Sequence, residues 1–139
     1  MKQKRLETKY VRDVEVSCSL DVFRELRDIK DWTKEVFLVF CLNTTQRIIS
    51  REIVSIGILD RTLVHPREIF RMAILRNAAS IIIAHNHPSG RVEPSEADRV
   101  VTKTIKEAGD ILGIKLLDHV IVGEDAYYSF TDKGVGTDE

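Results

Sequence analysis

The chain has 139 residues, a length that suits one domain, and 43% of them are hydrophobic while 31% are charged. A domain of this size buries about two thirds of its unfolded surface, so it folds without disulfides. The formal net charge is −1 and the isoelectric point is about 6.4. Strong nucleic-acid binders carry a concentrated basic surface, so the charge gives no support to nucleic acid as a partner.

The N-terminal stretch MKQKRLETKY is polar and basic with no apolar segment behind it, which excludes an ordinary signal peptide. No stretch approaches the roughly 18 apolar residues of a membrane span, so no membrane partner is expected. The two cysteines, Cys18 and Cys41, form no CxxC pair and are predicted to be buried, reduced thiols. These features together indicate a cytoplasmic protein.

The first half of the chain predicts a strand, a helix and a hairpin. Residues 12–18 alternate like a short strand, and Ser19 is placed to cap the helix that follows. The apolar face of that helix is predicted to be Val22, Phe23, Leu26 and Ile29. Residues 35–43 read as a strongly apolar strand, and a turn at 43–46 leads into a returning strand over 47–57.

The second half predicts two longer helices between strands. One helix runs from Pro66 to about Ala79, and a short buried strand over 80–84 follows it. The next helix runs from Glu96 to about Leu112, where Gly113 ends it, and strands are predicted at 115–123 and 127–130. The predicted buried faces of these helices are Ile69, Phe70, Ala73, Ile74 and Ala78, and Val100, Val101, Ile105, Ala108, Ile111 and Leu112. Interleaved strands and helices indicate an α/β fold.

The stretch AHNHPSGRVEPSEAD, residues 84–98, follows directly after the buried strand and concentrates reactive side chains. In an extended chain, residues i and i+2 point to the same side, so His85 and His87 converge while Asn86 points away. Imidazole nitrogens suit Zn²⁺, and the carboxylate of Asp98 is the candidate third ligand. A fourth position would stay open for water, as in catalytic zinc sites.

A helix cap is the alternative interpretation of the same residues. Ser95 and Asp98 have the spacing of a capping box immediately before an amphipathic helix, and capping alone would account for both. The two interpretations are compatible, because Asp98 can use its carboxylate both to cap the helix and to bind a metal.

A zinc hydrolase also needs a general base to take a proton from water. Glu35 begins the most apolar strand and is the first candidate, although a solvated residue at a strand start would look the same. Glu52 is a weaker candidate, predicted to face outward on the hairpin. For Asp118 and His119 we expect either a hydrogen bond between strand and loop or a role in orienting a metal ligand. His65 is interpreted as structural or surface-exposed.

The spacing of His85, His87, Ser95 and Asp98 matches the JAMM signature of the JAB/MPN metalloprotease superfamily. More closely, HNHPSG followed by EPSEAD resembles the RadC family, as do residues 64–90, the segment LLDHVIVG and the segment YYSF. The resemblance covers residues 12–131. It implies a single JAB/MPN-type domain with a central mixed β-sheet flanked by helices, in a cytidine-deaminase-like architecture. Residues 1–11 would be an N-terminal extension and 132–139 a C-terminal tail.

By resemblance, His85, His87 and Asp98 would bind one Zn²⁺ per chain. Glu35 would activate the water, and Ser95 would donate a hydrogen bond to the oxyanion. These roles imply a zinc-dependent hydrolase of peptide or isopeptide bonds, acting on an unidentified protein or peptide substrate.

Two other functions stay open: a non-catalytic MPN module that binds a protein or a nucleic acid, and an accessory protein of DNA repair. Longer RadC-like proteins carry an N-terminal helix-hairpin-helix region of DNA-binding type. Only about a dozen residues precede the domain here, which weakens the DNA interpretation. An exposed strand edge would allow an oligomer.

Overall fold

The computed structural model describes residues 14–57 and 64–138 of the chain. The described helices are α1 (Ser19–Arg24), α2 (Pro66–Leu75) and α3 (Glu96–Leu112). The described strands are β1 (Glu35–Leu42), β2 (Ile48–Gly57), β3 (Ser80–Asn86), β4 (Lys115–Val122), β5 (Ala126–Ser129) and β6 (Gly134–Thr137). No helix in these two ranges is both long enough and apolar enough to cross a membrane.

All six strands form one sheet in the order β2-β1-β3-β4-β5-β6. Strands β3 and β4 are parallel, because the long helix α3 carries the chain back between them. The other neighbouring pairs are antiparallel. The predicted α/β fold with a mixed sheet flanked by helices is therefore confirmed.

The alternation of side chains along β1 and β3 divides the core into two layers. Val36, Leu38 and Ile82 face α1, whereas Phe37 and Ile83 face α2 and α3. Both strands are buried on both faces, which explains why residues 36–42 and 81–84 are continuously apolar. Glu35 and His85 continue the set that faces α3, so the side of the sheet that carries the motif follows from strand periodicity.

The N-terminal region differs from its prediction. Residues 14–18 form only an isolated bridge between Glu15 and Arg47, and the first two residues of the predicted strand lie outside the described ranges. Ser19 does not cap α1 but is its first residue, and its hydroxyl hydrogen-bonds Tyr127. Asp21 caps the helix start instead, since its carboxylate accepts the N–H groups of Ser17 and Cys18.

Several apolar residues predicted to be buried are exposed on the helices. The exposed fractions are 57% for Ile74, 56% for Val100, 86% for Ile111 and 50% for Leu112. Helix α3 instead buries a narrow stripe of Val101, Ile105 and Gly109, spaced four residues apart. One stripe is enough because the sheet covers only one side of the helix.

The C-terminal residues form a strand that the sequence does not predict. Residues 134–137, assigned above to a polar tail, pair with β5 as strand β6. A Cβ atom at Gly136 would lie 2.5 Å from the ring of Tyr127, so glycine lets this strand pass beneath the ring. Glycine is depleted in strands, so residue propensities do not predict a strand at the glycine-rich residues of β6. The prediction of two buried thiols is wrong for Cys18, which is exposed, while Cys41 is buried.

Candidate metal centre

The two motif histidines and Glu35 meet at the end of the two central strands. β3 extends two residues further than predicted and includes His85, which lies opposite Phe37 of β1. The Nε2 atoms of His85 and His87 are 3.1 Å apart. Glu35, His85 and His87 each offer a ligand atom within 4.8 Å of the others. The structure therefore brings Glu35 together with His85 and His87, as the sequence predicts.

Asp98 joins this cluster from the first turn of α3. Its Oδ1 atom lies 3.3 Å from Nε2 of His85, and its Oδ2 atom lies 3.1 Å from Nε2 of His87. The same Oδ2 accepts the N–H of Ser95 at 2.9 Å, while Ser95 Oγ accepts the N–H of Asp98 at 3.0 Å. The capping box is therefore confirmed, and the cap aims Asp98 at both imidazoles.

Hydrogen bonding fixes which nitrogen of His87 carries the hydrogen. Its Nδ1 lies 2.8 Å from the carbonyl oxygen of Arg91, which can only accept. Nδ1 must therefore donate, and in the neutral ring Nε2 holds the lone pair. That lone pair points toward His85 and Asp98, which makes Nε2 the available ligand atom.

Burial and charge combine to favour a cation at this cluster. Burial lowers the pKa of His87, but the hydrogen bonds to Asp98 and to the Arg91 carbonyl outweigh it and raise that pKa. For Asp98, burial raises the pKa, but the hydrogen bonds from His85 and His87 outweigh it and hold the pKa far below its usual range. Both shifts show that the buried Asp98 carboxylate is stabilised by positive charge on the neighbouring imidazoles. Two imidazole nitrogens and a carboxylate are a donor set that fits Zn²⁺.

A cleft of about 500 Å³ opens onto the cluster, lined by Glu35, His87, Ser95 and neighbouring residues. Glu35 is only 5% exposed, so its carboxylate is held within the cleft wall rather than solvated. Ser95 is exposed there. While Ser95 Oγ accepts from the Asp98 N–H, its hydroxyl hydrogen can be donated into the cleft.

The chain is similar to known proteins over most of its length. The family model of the RadC-like JAB domain matches residues 16–135, which is most of the chain.

The chain belongs to the RadC family.

Its curated relatives are named UPF0758 proteins. One from Chlorobaculum parvum is 54% identical over 113 residues, covering 81% of this chain and 51% of that protein. One from Thermotoga maritima is 41% identical over 132 residues, covering 94% of this chain and 60% of that protein. One from Methanosarcina barkeri is 46% identical over 106 residues, covering 76% of this chain and 46% of that protein. The chain thus spans about half the length of the relatives it matches.

Asn86 is a site residue of this RadC domain whose role sequence reasoning missed. It points away from the histidines, as predicted, but it clamps the segment that carries Glu35. Its Oδ1 accepts the N–H of Val36 at 2.6 Å, and its Nδ2 donates to the carbonyls of Lys34 at 3.0 Å and Trp32 at 3.3 Å. Asn86 and Val36 are fully buried, so the Val36 N–H depends on Asn86 for its hydrogen bond.

The other residues considered for the site differ in whether they contact the candidate metal cluster. Glu52, predicted to face outward, is 4% exposed and accepts a 2.9 Å hydrogen bond from Arg76 away from the cluster. His65 is half-buried at the start of α2, as expected for a structural residue. Asp118 joins strand to loop by accepting from Ser129 Oγ and the Thr131 N–H, and its burial raises its pKa despite these bonds. His119 instead contacts His85, with 2.9 Å between Nε2 and Nδ1.

Proposed function

We propose that this RadC domain is a zinc-dependent hydrolase of amide bonds, with a protein or peptide as substrate. The observation that carries the proposal is the convergence of His85, His87, Asp98 and Glu35 beside one cleft, whose wall includes Glu35 and His87. The combination of three protein ligands, a nearby buried carboxylate and an accessible hydroxyl is typical of catalytic rather than structural zinc sites.

His85, His87 and Asp98 would hold the ion. When bound, Zn²⁺ supplies Lewis acidity, lowering the pKa of a water molecule and polarising a substrate carbonyl. The imidazoles bind as neutral ligands through Nε2, as the hydrogen bond from His87 to Arg91 requires. The Asp98 carboxylate supplies the negative charge, and its cap holds it in place before the ion arrives.

Glu35 would transfer the proton, and Ser95 would stabilise the negative charge that develops on the substrate. Glu35 takes the proton from the attacking water and passes it to the leaving amine. Ser95 donates its hydroxyl hydrogen to the oxyanion of the tetrahedral intermediate, an interaction that strengthens as negative charge develops. The amide bond breaks, water supplies the new hydroxyl of the acid product, and Glu35 returns to its ionised form.

The zinc content of the purified protein tests whether the site binds a metal. Wild-type protein purified in zinc should carry about one Zn²⁺ per chain, and His87→Ala should lose it, because three ligands are needed for tight binding. His65→Ala is the matched control, since it removes a half-buried histidine outside the cluster. Zinc is counted by mass spectrometry and folding is checked by circular dichroism. A folded wild-type protein that binds no zinc would overturn the proposal.

Capture of a substrate tests whether the protein hydrolyses amide bonds with Glu35 as the base. Glu35→Gln should keep zinc but lose hydrolysis, because it retains the shape of the side chain and removes the base. Zinc-loaded Glu35→Gln is incubated with a cell extract, and bound proteins are identified and then offered to the wild type. Cleavage by the wild type and not by Glu35→Gln is the expected result. If Glu35→Gln cleaves a captured protein at the wild-type rate, Glu35 is not the base.

A further inference from the structure

A series of hydrogen bonds connects His85 to the backbone of Asp98 through His119 and Thr102. Nδ1 of His85 is 2.9 Å from Nε2 of His119, and Nδ1 of His119 is 2.6 Å from Oγ1 of Thr102. Thr102 in turn donates to the backbone carbonyl of Asp98 at 2.7 Å. The two residues behind His85, Thr102 on α3 and His119 on β4, therefore connect one candidate metal ligand to the backbone of another.

The direction of each hydrogen bond in this series can be assigned. The Thr102 hydroxyl has one hydrogen, which it donates to the Asp98 carbonyl, so it must accept from Nδ1 of His119. With the imidazoles neutral, Nε2 of His119 is then an acceptor, and Nδ1 of His85 must carry a hydrogen to donate to it. This leaves the lone pair of His85 on Nε2, the atom that faces His87 and Asp98.

The rings are held by packing as well as by hydrogen bonds. His119 stacks on Phe130 with the ring centroids 4.7 Å apart and the planes 9° from parallel. His85 stacks on Phe37 at 5.5 Å. Both histidines are fully buried. Neither ring can turn over without leaving a stacked contact and a hydrogen bond, so the arrangement is preorganised.

We propose that Thr102 and His119 are positioning residues that hold His85 in the tautomer whose Nε2 faces the metal. The tautomer itself stands independently, while its use for zinc rests on the proposed function. Removing the Thr102 hydroxyl would leave Nδ1–H of His119 without its acceptor. His119 would then favour hydrogen on Nε2, which opposes Nδ1–H of His85 and pushes the His85 hydrogen onto the ligand atom.

The test compares Thr102→Val, which keeps the branched shape and removes the hydroxyl, with Thr102→Ser, which keeps the hydroxyl. Thr104→Val on the exposed face of the same helix is the matched control. The first measurement is the imidazole ¹⁵N spectrum of the zinc-free protein at a pH where its histidines are neutral, which distinguishes a bare from a protonated Nε2. The second is zinc affinity by competition with a chelator.

We expect His85 to show a bare Nε2 in the wild type, in Thr102→Ser and in Thr104→Val, and a protonated Nε2 in Thr102→Val. Zinc affinity should fall about 10- to 100-fold in Thr102→Val alone, the range measured when groups behind metal ligands are removed. An unchanged His85 spectrum in folded Thr102→Val would overturn the inference. If wild-type protein shows the expected tautomer but binds no zinc, the proposed function fails and the tautomer assignment stands.

His119→Phe provides an independent check, because the phenyl ring can still stack on Phe130 but cannot accept a hydrogen bond. Adding Thr102→Val to His119→Phe should weaken zinc binding little further, since both substitutions break the same series of hydrogen bonds. Fully additive losses would show that Thr102 does not act through His119 and would also overturn the inference.

Discussion

Single residues connect the motif to the rest of the site, and Asn86 shows this most directly. We expect Asn86→Ala to lower the free energy of unfolding by about 2–4 kcal/mol, because it leaves the buried N–H of Val36 and the part-buried carbonyls of Trp32 and Lys34 without their partner. Hydrolysis should fall more than zinc affinity, because the displaced segment carries the proposed base Glu35 and none of the proposed zinc ligands. Urea unfolding, chelator competition and activity on a captured substrate measure the three effects.

Asn43→Ala is the control for that variant. Asn43 also holds a turn through its side chain, accepting from Thr45 and Arg47, but it lies at the opposite end of β1. It should reduce stability and leave the activity of the folded protein unchanged. The clamp role of Asn86 would be wrong if Asn86→Ala changed zinc affinity and hydrolysis by the same factor.

Ser95 is expected to serve both stability and catalysis. Ser95→Ala removes the acceptor for the Asp98 N–H, which should cost about 1 kcal/mol of stability. The same change removes the proposed oxyanion donor, so kcat should fall about 10²- to 10³-fold while zinc stays bound. Ser95→Thr restores a capping hydroxyl and should recover most of both. Recovery of stability without activity in Ser95→Thr would argue against the oxyanion role.

Local spacing explains which site residues could be predicted. His85 and His87 converge because they are two apart in an extended segment, and Asp98 is aimed by a cap that is itself a sequence pattern. Glu35 could be nominated because a strand start at a sheet end is a recognisable position. His119 could be named only as one of two alternatives for the Asp118 and His119 pair. Asn86 and Thr102 make hydrogen bonds to distant segments, and no periodicity or spacing marks such contacts before the fold is known.

Among the elements, the end of β4 supports the motif loop through Gly123. A Cβ atom there would lie 2.6 Å from the backbone oxygen of Gly90, which cannot give way as a flexible side chain would. Gly123→Ala should therefore displace the loop that holds His87 through the Arg91 carbonyl, reducing both stability and zinc affinity. Thermal unfolding and chelator competition measure the two losses.

Gly134→Ala is the control for that substitution. Its added Cβ would meet no atom closer than 4.0 Å, so stability should change little and zinc affinity not at all. If Gly123→Ala bound zinc as tightly as Gly134→Ala, the loop would not depend on close approach at β4.

The existence and type of most elements could be predicted, while their ends and exposed faces could not. The strand β3 was predicted two residues short because its last residues, His85 and Asn86, are polar. Their burial depends on partners in β1 and α3 that a local pattern does not contain. Val100 and Ile111 were predicted to be buried because helical periodicity shows which residues share a face, but not how wide a stripe the sheet covers.

At the scale of the whole molecule, two apolar layers of unequal role enclose the sheet. The layer with α1 contains no candidate metal ligand among the described residues, whereas the layer with α2 and α3 ends at the candidate metal cluster. The site is thus built where the α3 layer meets solvent. Cys41 is buried in this layer, on the same face of β1 as Glu35. Because a thiol can ionise, its burial should make the free energy of unfolding depend on pH.

Burial raises the pKa of the Cys41 thiol, although the neighbouring Ser50 hydroxyl opposes the effect. The unfolded chain should lose this proton at a thiol pKa of about 8.5, whereas the folded protein keeps it to higher pH. The folded state therefore binds more protons above that pH, and the free energy of unfolding must fall as pH rises further. Cys41→Ala should flatten the decline, and Cys18→Ala should not, because Cys18 is exposed. Urea unfolding at several alkaline pH values measures the three slopes; equal slopes in wild type and Cys41→Ala would show that Cys41 ionises as readily in the folded protein as in the unfolded chain.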